Sequence, residues 1–219
     1  MRNIKLVIEY DGTGYAGWQR QKNALTVQQV LEEALERLCG HNVQLIGSGR
    51  TDSGVHARGQ VANFYTSCGI PPERFSYALN VLLPRDIRVK SSEEVSMDFH
   101  ARFSAVGKKY RYSMVVSSHG TAIGWQYYHH IYTPLNVQAM KEAAVHFKGT
   151  HDFAAFMAAG STVKSTIRTV YEAEIIEDDP FLHFTVKGNG FLYNMVRIMT
   201  GTLIDVGKGK ICPSQIPQI

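Results

Sequence analysis

Hydrophobic side chains in this chain repeat with two different periods, and the same succession of periods occurs twice. "IKLVIEY" sets Ile4, Leu6, Ile8 and Tyr10 against Lys5, Val7 and Glu9, the period-two pattern of a strand with one buried face. "TVQQVLEEALERLCG" then changes to helical spacing through Val27, Val30, Leu31, Ala34, Leu35 and Leu38. Thr26 and Gln29 have the spacing of a capping box, and Gly40 suits the helix end. "VQLIGSG" and "QVANFYT" read as two more strands, "PPERFSYALNVLLP" as a short helix ended by Pro84, and "DIRVKSSEEV" as another strand.

The second half repeats the plan. "VGKKYRYSMVV" is a strand with Val106, Lys108, Tyr110, Tyr112 and Met114 on one face. A helix follows from Asn136, with Val137, Met140, Ala144 and Phe147 inward and Gly149 as its stop. "TIRTVYEAEII" and "PFLHFTVKG" form a hairpin around "EDD", and "NGFLYNMVRIMTGTLIDVG" is a long helical stretch. Each half therefore reads strand, helix, two strands, helix. Short strand-to-strand links favour antiparallel pairing. The expected fold is α+β: two similar halves forming a central, mostly antiparallel sheet with helices on one side and the other face open to a ligand. The halves divide as 1–100 and 101–219, with the link inside 91–104.

Composition narrows the function classes. Hydrophobic residues make up 44% and charged ones 19%, which is globular rather than disordered. The net charge of +4 permits an anionic partner without requiring one. Cys39, Cys68 and Cys212 are widely spaced, with neither a zinc pattern nor a disulfide framework. The start "MRNIKLVIEYDG" breaks quickly into charge, unlike a signal peptide, and no apolar run approaches the ~18 residues of a membrane span. A cytoplasmic location is expected.

Chemistry concentrates in "GSGRTDSGVHARGQV", Gly47 to Val61. It holds one carboxylate, Asp52, between Arg50 and Arg58, with His56 nearby and glycines at 47, 49, 54 and 59. Asp52 is either a cap on local turn amides or a working acid, kept ionised by the arginines, which also suit phosphates. A second clue is Arg197 in "FLYNMVRIMTGTLIDV", a helix apolar around most of its girth and expected to be buried. A buried arginine needs a carboxylate or several hydrogen bonds; Asp205 on the same helix is out of reach, so the partner comes from elsewhere, with Asp52 one candidate and some other acid the alternative. "KKYRY" interleaves Lys108, Lys109 and Arg111 with Tyr110 and Tyr112, a mix that suits nucleic acid because rings stack on bases while cations meet phosphates. The plainer reading is an exposed cationic face over a core tyrosine. "YDGTGYAGWQRQ" carries the same ambiguity.

The nine histidines form no metal pattern: His129 and His130 are adjacent, "HD" at 151–152 has no second pair, and HExxH is absent. There is no P-loop or G-x-G-x-x-G before a helix, so no nucleotide cofactor is expected.

"GSGRTDSGVHARGQV" together with "GNGFLYNMVRIMTGTLIDVGKGK" closely resembles the tRNA pseudouridine synthase A family. "YDGTGYAGWQRQ", "LNVLLPRDI" and "FHARFSAVGKKYRY" match it in the same order, so the resemblance covers nearly the whole chain. It implies the pseudouridine synthase fold, Asp52 as the catalytic aspartate, Tyr110 stacked on the target uracil, Arg197 paired with the catalytic carboxylate, and Arg50 on the flipped nucleotide or its phosphate. Arg58, His56, Lys108 and Lys109 are further candidates for RNA contact. The resemblance further implies a homodimer acting on uridines 38 to 40 of the tRNA anticodon arm, with no cofactor, metal or membrane. Members of the family continue beyond the equivalent of Ile219 through another helix and strand, so either this chain is truncated or its end is absent from the sequence.

The implied reaction breaks the bond from C1′ to N1, turns the uracil in place and rejoins it through C5. It involves neither redox change nor net hydrolysis, and the base must first leave its stack, at a cost of a few kcal/mol. An ionised Asp52 can add to C1′, add to C6, or remove a sugar proton; the residues do not choose among these. The rival classes are a non-catalytic RNA-binding module and a metal-dependent hydrolase using histidines with Asp52.

Overall fold

The leading run forms β1 (Arg2–Tyr10), and its alternation is realised: Ile4, Leu6 and Ile8 are fully buried and Tyr10 nearly so. The computed structural model describes residues 1–160 and 163–219, which fall into two compact units, Met1–Ala105 and Val106–Ile219. In the first unit, β1 lies antiparallel between β3 (Ala57–Thr66) and β4 (Ile87–Val95). The short β2 (Ile46–Gly47) adds to β3, giving the order β2-β3-β1-β4. The register Ile4 to Phe64 and Leu6 to Ala62 brings the buried sides of the two strands onto one face.

That face is covered by α1 (Val27–Cys39) and α2 (Phe75–Leu82). α1 contributes Val27, Leu31 and Leu35, all fully buried. The Thr26 side chain accepts the Gln29 N–H at 3.4 Å, and Gly40 ends the helix at φ 72°. The Gln29 side chain donates instead to Glu33, so only half of the expected capping box forms. α2 is shorter than its sequence stretch, because Pro72–Arg74 makes a separate 3-10 turn before it. Phe75 from α2 meets Phe64 edge-on, with ring centroids 5.5 Å apart.

The opposite face of this sheet is partly covered by the chain itself. The Asn3 side chain donates to Ser96 O (2.8 Å) and Phe99 O (2.9 Å), and Asn63 accepts the Ala101 N–H at 2.9 Å. Asn63 also donates to Asn3 Oδ1 at 2.9 Å. Both amides are fully buried, and this network satisfies them as burial requires. Residues 96–101 are thereby strapped to a face that the hydrophobic pattern left open.

In the second unit, β5 (Lys108–Val116) pairs antiparallel with β9 (Phe181–Gly188), which pairs with β8 (Ile167–Asp178). Two short strands complete the order β6-β5-β9-β8-β7: β6 (His129–Ile131), parallel to β5, and β7 (Gly149–Asp152). Neither was legible, because three or four mostly exposed residues carry no alternation. Gly149 opens β7 and does not stop the preceding helix: α3 (Val137–Val145) ends at His146, three residues earlier. Met140, Ala144, Phe147, Phe184 and Val186 pack in this unit's core with α4 (Met195–Gly207). The strands thus lie in two hydrogen-bonded sheets, one in each unit, where a single central sheet was expected; each half completes its own ladder. The α+β class and the predominance of antiparallel pairs hold.

α4 corrects two expectations. It begins at Met195, because Asn194 takes the left-handed conformation (φ 56°) and leaves residues 189–194 outside the helix. It is also amphipathic rather than buried all round. Met195, Met199, Leu203 and Val206 face the core, while Tyr193, Arg197 and Gly201 are exposed. Steps of four residues along a helix return near the same face, and two residues on lies the opposite side. Arg197 is on that opposite, exposed side.

Candidate active-site elements

The Asp52 loop connects β2 to β3 and is fastened at both ends. Ser48 N–H donates to Val61 O (2.8 Å), and the Gln60 side chain donates to Gly49 O (2.6 Å). The segment leaving β1 then lies against it. Trp18 N–H donates to Thr51 O (3.1 Å), the Tyr10 and Thr51 hydroxyls are 2.8 Å apart, and Tyr15 O accepts from Gly54 N–H and Ser53 Oγ, both at 3.3 Å. Residues on both sides of Asp52 are therefore pinned, and the Asp52 carbonyl accepts the Val55 N–H (3.2 Å) to close a tight turn. The Asp52 side chain is half-buried.

Three glycines make this approach possible. A Cβ on Gly12 would lie 2.1 Å from Val55 O, one on Gly17 2.4 Å from Thr51 O, and one on Gly47 2.4 Å from Trp18 Nε1. No side chain fits at such distances, and Gly17 also sits at φ 92°. "YDGTGYAGWQRQ", ambiguous as sequence, is thus the mate of the Asp52 loop. Its contribution could have been suspected only from glycine density, since backbone contacts leave no side-chain signature.

Around this core lie the charged candidates. Arg50, His56 and Arg58 are exposed. His56 Nδ1 is 3.0 Å from Asp11 Oδ1 and 3.1 Å from the Gly12 nitrogen. One ring nitrogen cannot both donate to the carboxylate and accept from the amide, so these contacts compete. Either way His56 is tied to the supporting segment. Tyr15 donates its hydroxyl to Asp86 Oδ1 at 2.9 Å, and burial followed by Asp86 drives its pKa far above the ordinary tyrosine value. It stays a neutral donor and anchors the stretch that holds Ser53 and Gly54.

In the second unit, strand alternation puts Lys108, Tyr110 and Tyr112 on one face of β5 and Lys109 and Arg111 on the other. Tyr110 is half-buried, and Phe191 meets it edge-on at 5.2 Å between centroids and 82° between planes. Lys109 and Lys187 both reach Glu172, at 3.4 and 3.2 Å. Their hydrogen bonds, that from Lys187 first, hold the Glu172 carboxyl below its usual range. Lys109 is therefore engaged with an acid on the face away from Tyr110. Arg197 is exposed on α4, as are Gly201 on the same helix and Tyr193 just before it.

Among the described residues, no three His, Cys, Asp or Glu side chains converge as a metal ion would require. His130 bonds Ser117 O at 2.7 Å and His129 lies against Tyr112. Also among the described residues, no helix is long and apolar enough to cross a membrane.

A loop carboxylate held by backbone contacts, and a strand of alternating cations and aromatics, fit either an enzyme that acts on a nucleic-acid base or a module that binds one. Comparison with known proteins narrows this. A family model described as tRNA pseudouridine synthase matches residues 6–104 and 143–219. The chain is 56% identical over 220 residues to the tRNA pseudouridine synthase A of Ruminiclostridium cellulolyticum, covering 100% of this chain and 90% of that protein. It is 54% identical over 219 residues to that of Acetivibrio thermocellus, with the same shares covered. It is 52% identical over 210 residues to that of Geobacter sp. (strain M21), covering 96% and 85%. The chain belongs to the tRNA pseudouridine synthase family, isomerases that act on uridine in tRNA. The family model passes over residues 105–142, which include β5 and Tyr110, whereas the first two relatives align across the whole chain.

Proposed function

We propose that this chain converts uridines 38 to 40 of the tRNA anticodon arm to pseudouridine, with Asp52 as the catalytic carboxylate. Family membership supports the reaction. The observation that carries the assignment to Asp52 is the clamp around it: Thr51, Ser53 and Gly54 are all bonded to the Tyr10–Trp18 segment. A carboxylate that must meet one carbon of a flipped nucleotide gains from being held before substrate arrives.

In this reading the C1′–N1 bond breaks, the uracil turns without leaving the site, and C1′ joins C5. The C5 proton is lost and N1 recovers one, so atoms and electrons balance with no external reagent. Asp52 opens the sequence by one of three steps: attack on C1′, attack on C6, or removal of a sugar proton. Tyr110 holds the detached uracil by stacking, and Arg197 supplies the cation that keeps the carboxylate charged. Arg50, Arg58, His56 and Lys108 contact the RNA. Lys109 contributes less, because Glu172 already engages it. The reading includes a homodimer, a cytoplasmic location and no need for metal.

The test is nucleoside analysis of unmodified tRNA after incubation with the protein. Pseudouridine at the three anticodon-arm positions supports the reading. An unchanged nucleoside profile with intact tRNA binding would favour the RNA-binding module instead.

A further inference from the structure

On the Phe191 side of Tyr110 the second unit carries a shallow depression of about 370 Å³, lined by Lys108, Ile167, Arg168, Asn189, Gly190 and Phe191. Its charged side chains, Lys108 and Arg168, are both cations, and among the described residues no acid lines it. The half-buried Arg168 gives Nη1 to two carbonyls, Ser165 O at 2.9 Å and Ile167 O at 2.7 Å. These bonds orient the guanidinium without neutralising it, and among the described residues no carboxylate pairs with Arg168. The edge formed by Nε and Nη2 remains, and it matches two oxygens of a phosphate.

The surroundings keep that edge open. A Cβ on Gly190 would lie 3.7 Å from Arg168 Nε, so the missing side chain leaves that side of the guanidinium uncovered. Asn189 accepts the Thr169 N–H on Oδ1 at 3.0 Å and donates its own backbone N–H to Thr169 O at 3.0 Å. Its carboxamide is thereby oriented with Nδ2 left as a donor. A shallow, open, donor-lined depression beside an aromatic pair suits a phosphate of an RNA chain running over the surface; a free anion would favour a deeper enclosure.

We infer that this depression holds a backbone phosphate of the tRNA next to the reacting uridine, with Arg168 as the principal contact and Asn189 assisting. The inference rests on the reading that Tyr110 faces the uracil. It makes Arg168 a positioning residue that sets how the nucleotide enters.

The test measures tRNA binding against salt concentration, with pseudouridine formation in parallel, for the full chain and four variants. Arg168→Gln and Gly190→Asp are each expected to flatten the slope of log affinity against log salt by about one and weaken binding roughly tenfold, raising KM more than they lower kcat. Gly190→Asp sets an acid beside the guanidinium without removing its bonds to the carbonyls, so it separates charge from folding. Arg168→Lys should keep the slope but bind less tightly, having lost the bidentate edge. Gly190→Ala sets a neutral Cβ 3.7 Å from Arg168 Nε, so it should keep the slope and weaken binding less than Gly190→Asp does. Unchanged slopes in both Arg168→Gln and Gly190→Asp, in a protein that forms pseudouridine, overturn the phosphate site. An unaltered protein that forms no pseudouridine overturns the underlying reading instead.

Discussion

At the residue scale the account turns on Asp52 and Tyr110. Asp52→Asn preserves the size and most contacts of the side chain but removes its charge. It should abolish pseudouridine formation, by at least a thousandfold in a tritium-release assay, while tRNA binding stays near normal. Retained activity would return Asp52 to its other reading, a turn residue. Tyr110→Phe keeps the ring against Phe191 and should slow the reaction modestly, whereas Tyr110→Ala removes the stacking surface and should cost about 1–3 kcal/mol per stacked base. Equal rates for the alanine variant and the unaltered protein would end the stacking role. Arg197 shows where residue-scale reading misled. Its apolar neighbours suggested burial, but they occupy the other side of α4. A helix apolar in composition still has an outside, and Arg197 with Gly201 marks it.

At the element scale the Asp52 loop and the Tyr10–Trp18 segment behave as one unit. Gly17→Ala forces a Cβ into Thr51 O at a backbone angle of φ 92°. The strain should cost about 1–3 kcal/mol, seen as a lower urea midpoint, and activity should fall further than stability because the displaced residue adjoins Asp52. A Gly17→Ala protein with normal kinetics would show that the clamp is irrelevant to catalysis. In the other unit, His183 is buried on β9 with Nδ1 2.9 Å from Ser113 Oγ. Burial, with Arg111 adding to it, lowers its pKa below the ordinary histidine value. The unfolded chain then binds a proton more readily than the folded one, so stability falls as pH drops through the ordinary histidine range toward the lower folded value. His183→Gln should flatten that part of the pH–stability curve measured by chemical unfolding; an unaltered curve would exclude His183 as its source. The long elements were legible because burial on one face writes a period into the sequence, as in β1, α1 and β5. The short β6 and β7, the separate turn before α2 and the late start of α4 were not. Those features depend on neighbouring strands, a proline and one left-handed asparagine rather than on periodicity. Of the site, Asp52 and the basic strand were visible as residue types. The glycine interlock and the strap held by Asn3 and Asn63 were not, because the first is made of close backbone approaches and the second of side-chain amides bonded to a distant segment.

At the scale of the whole molecule, two α+β units each build their own sheet and core, and each presents a different kind of group. The first presents a clamped carboxylate; the second presents aromatics beside cations. Neither set alone would distinguish an enzyme from a binding module; family membership supplies the chemistry, to which the proposed function assigns both. That chemistry needs no electron acceptor and no added water, so activity should survive saturating chelator, whereas loss of activity in chelator would favour the metal-dependent hydrolase. The central claim is that the ionised carboxylate of Asp52 drives the conversion of uridine to pseudouridine. Its most direct test is nucleoside analysis of one unmodified tRNA after incubation, with chelator present, with the unaltered chain and with Asp52→Asn. The account predicts pseudouridine in the anticodon arm from the former and none from the latter at equal tRNA binding. Pseudouridine from Asp52→Asn at an undiminished rate would contradict it.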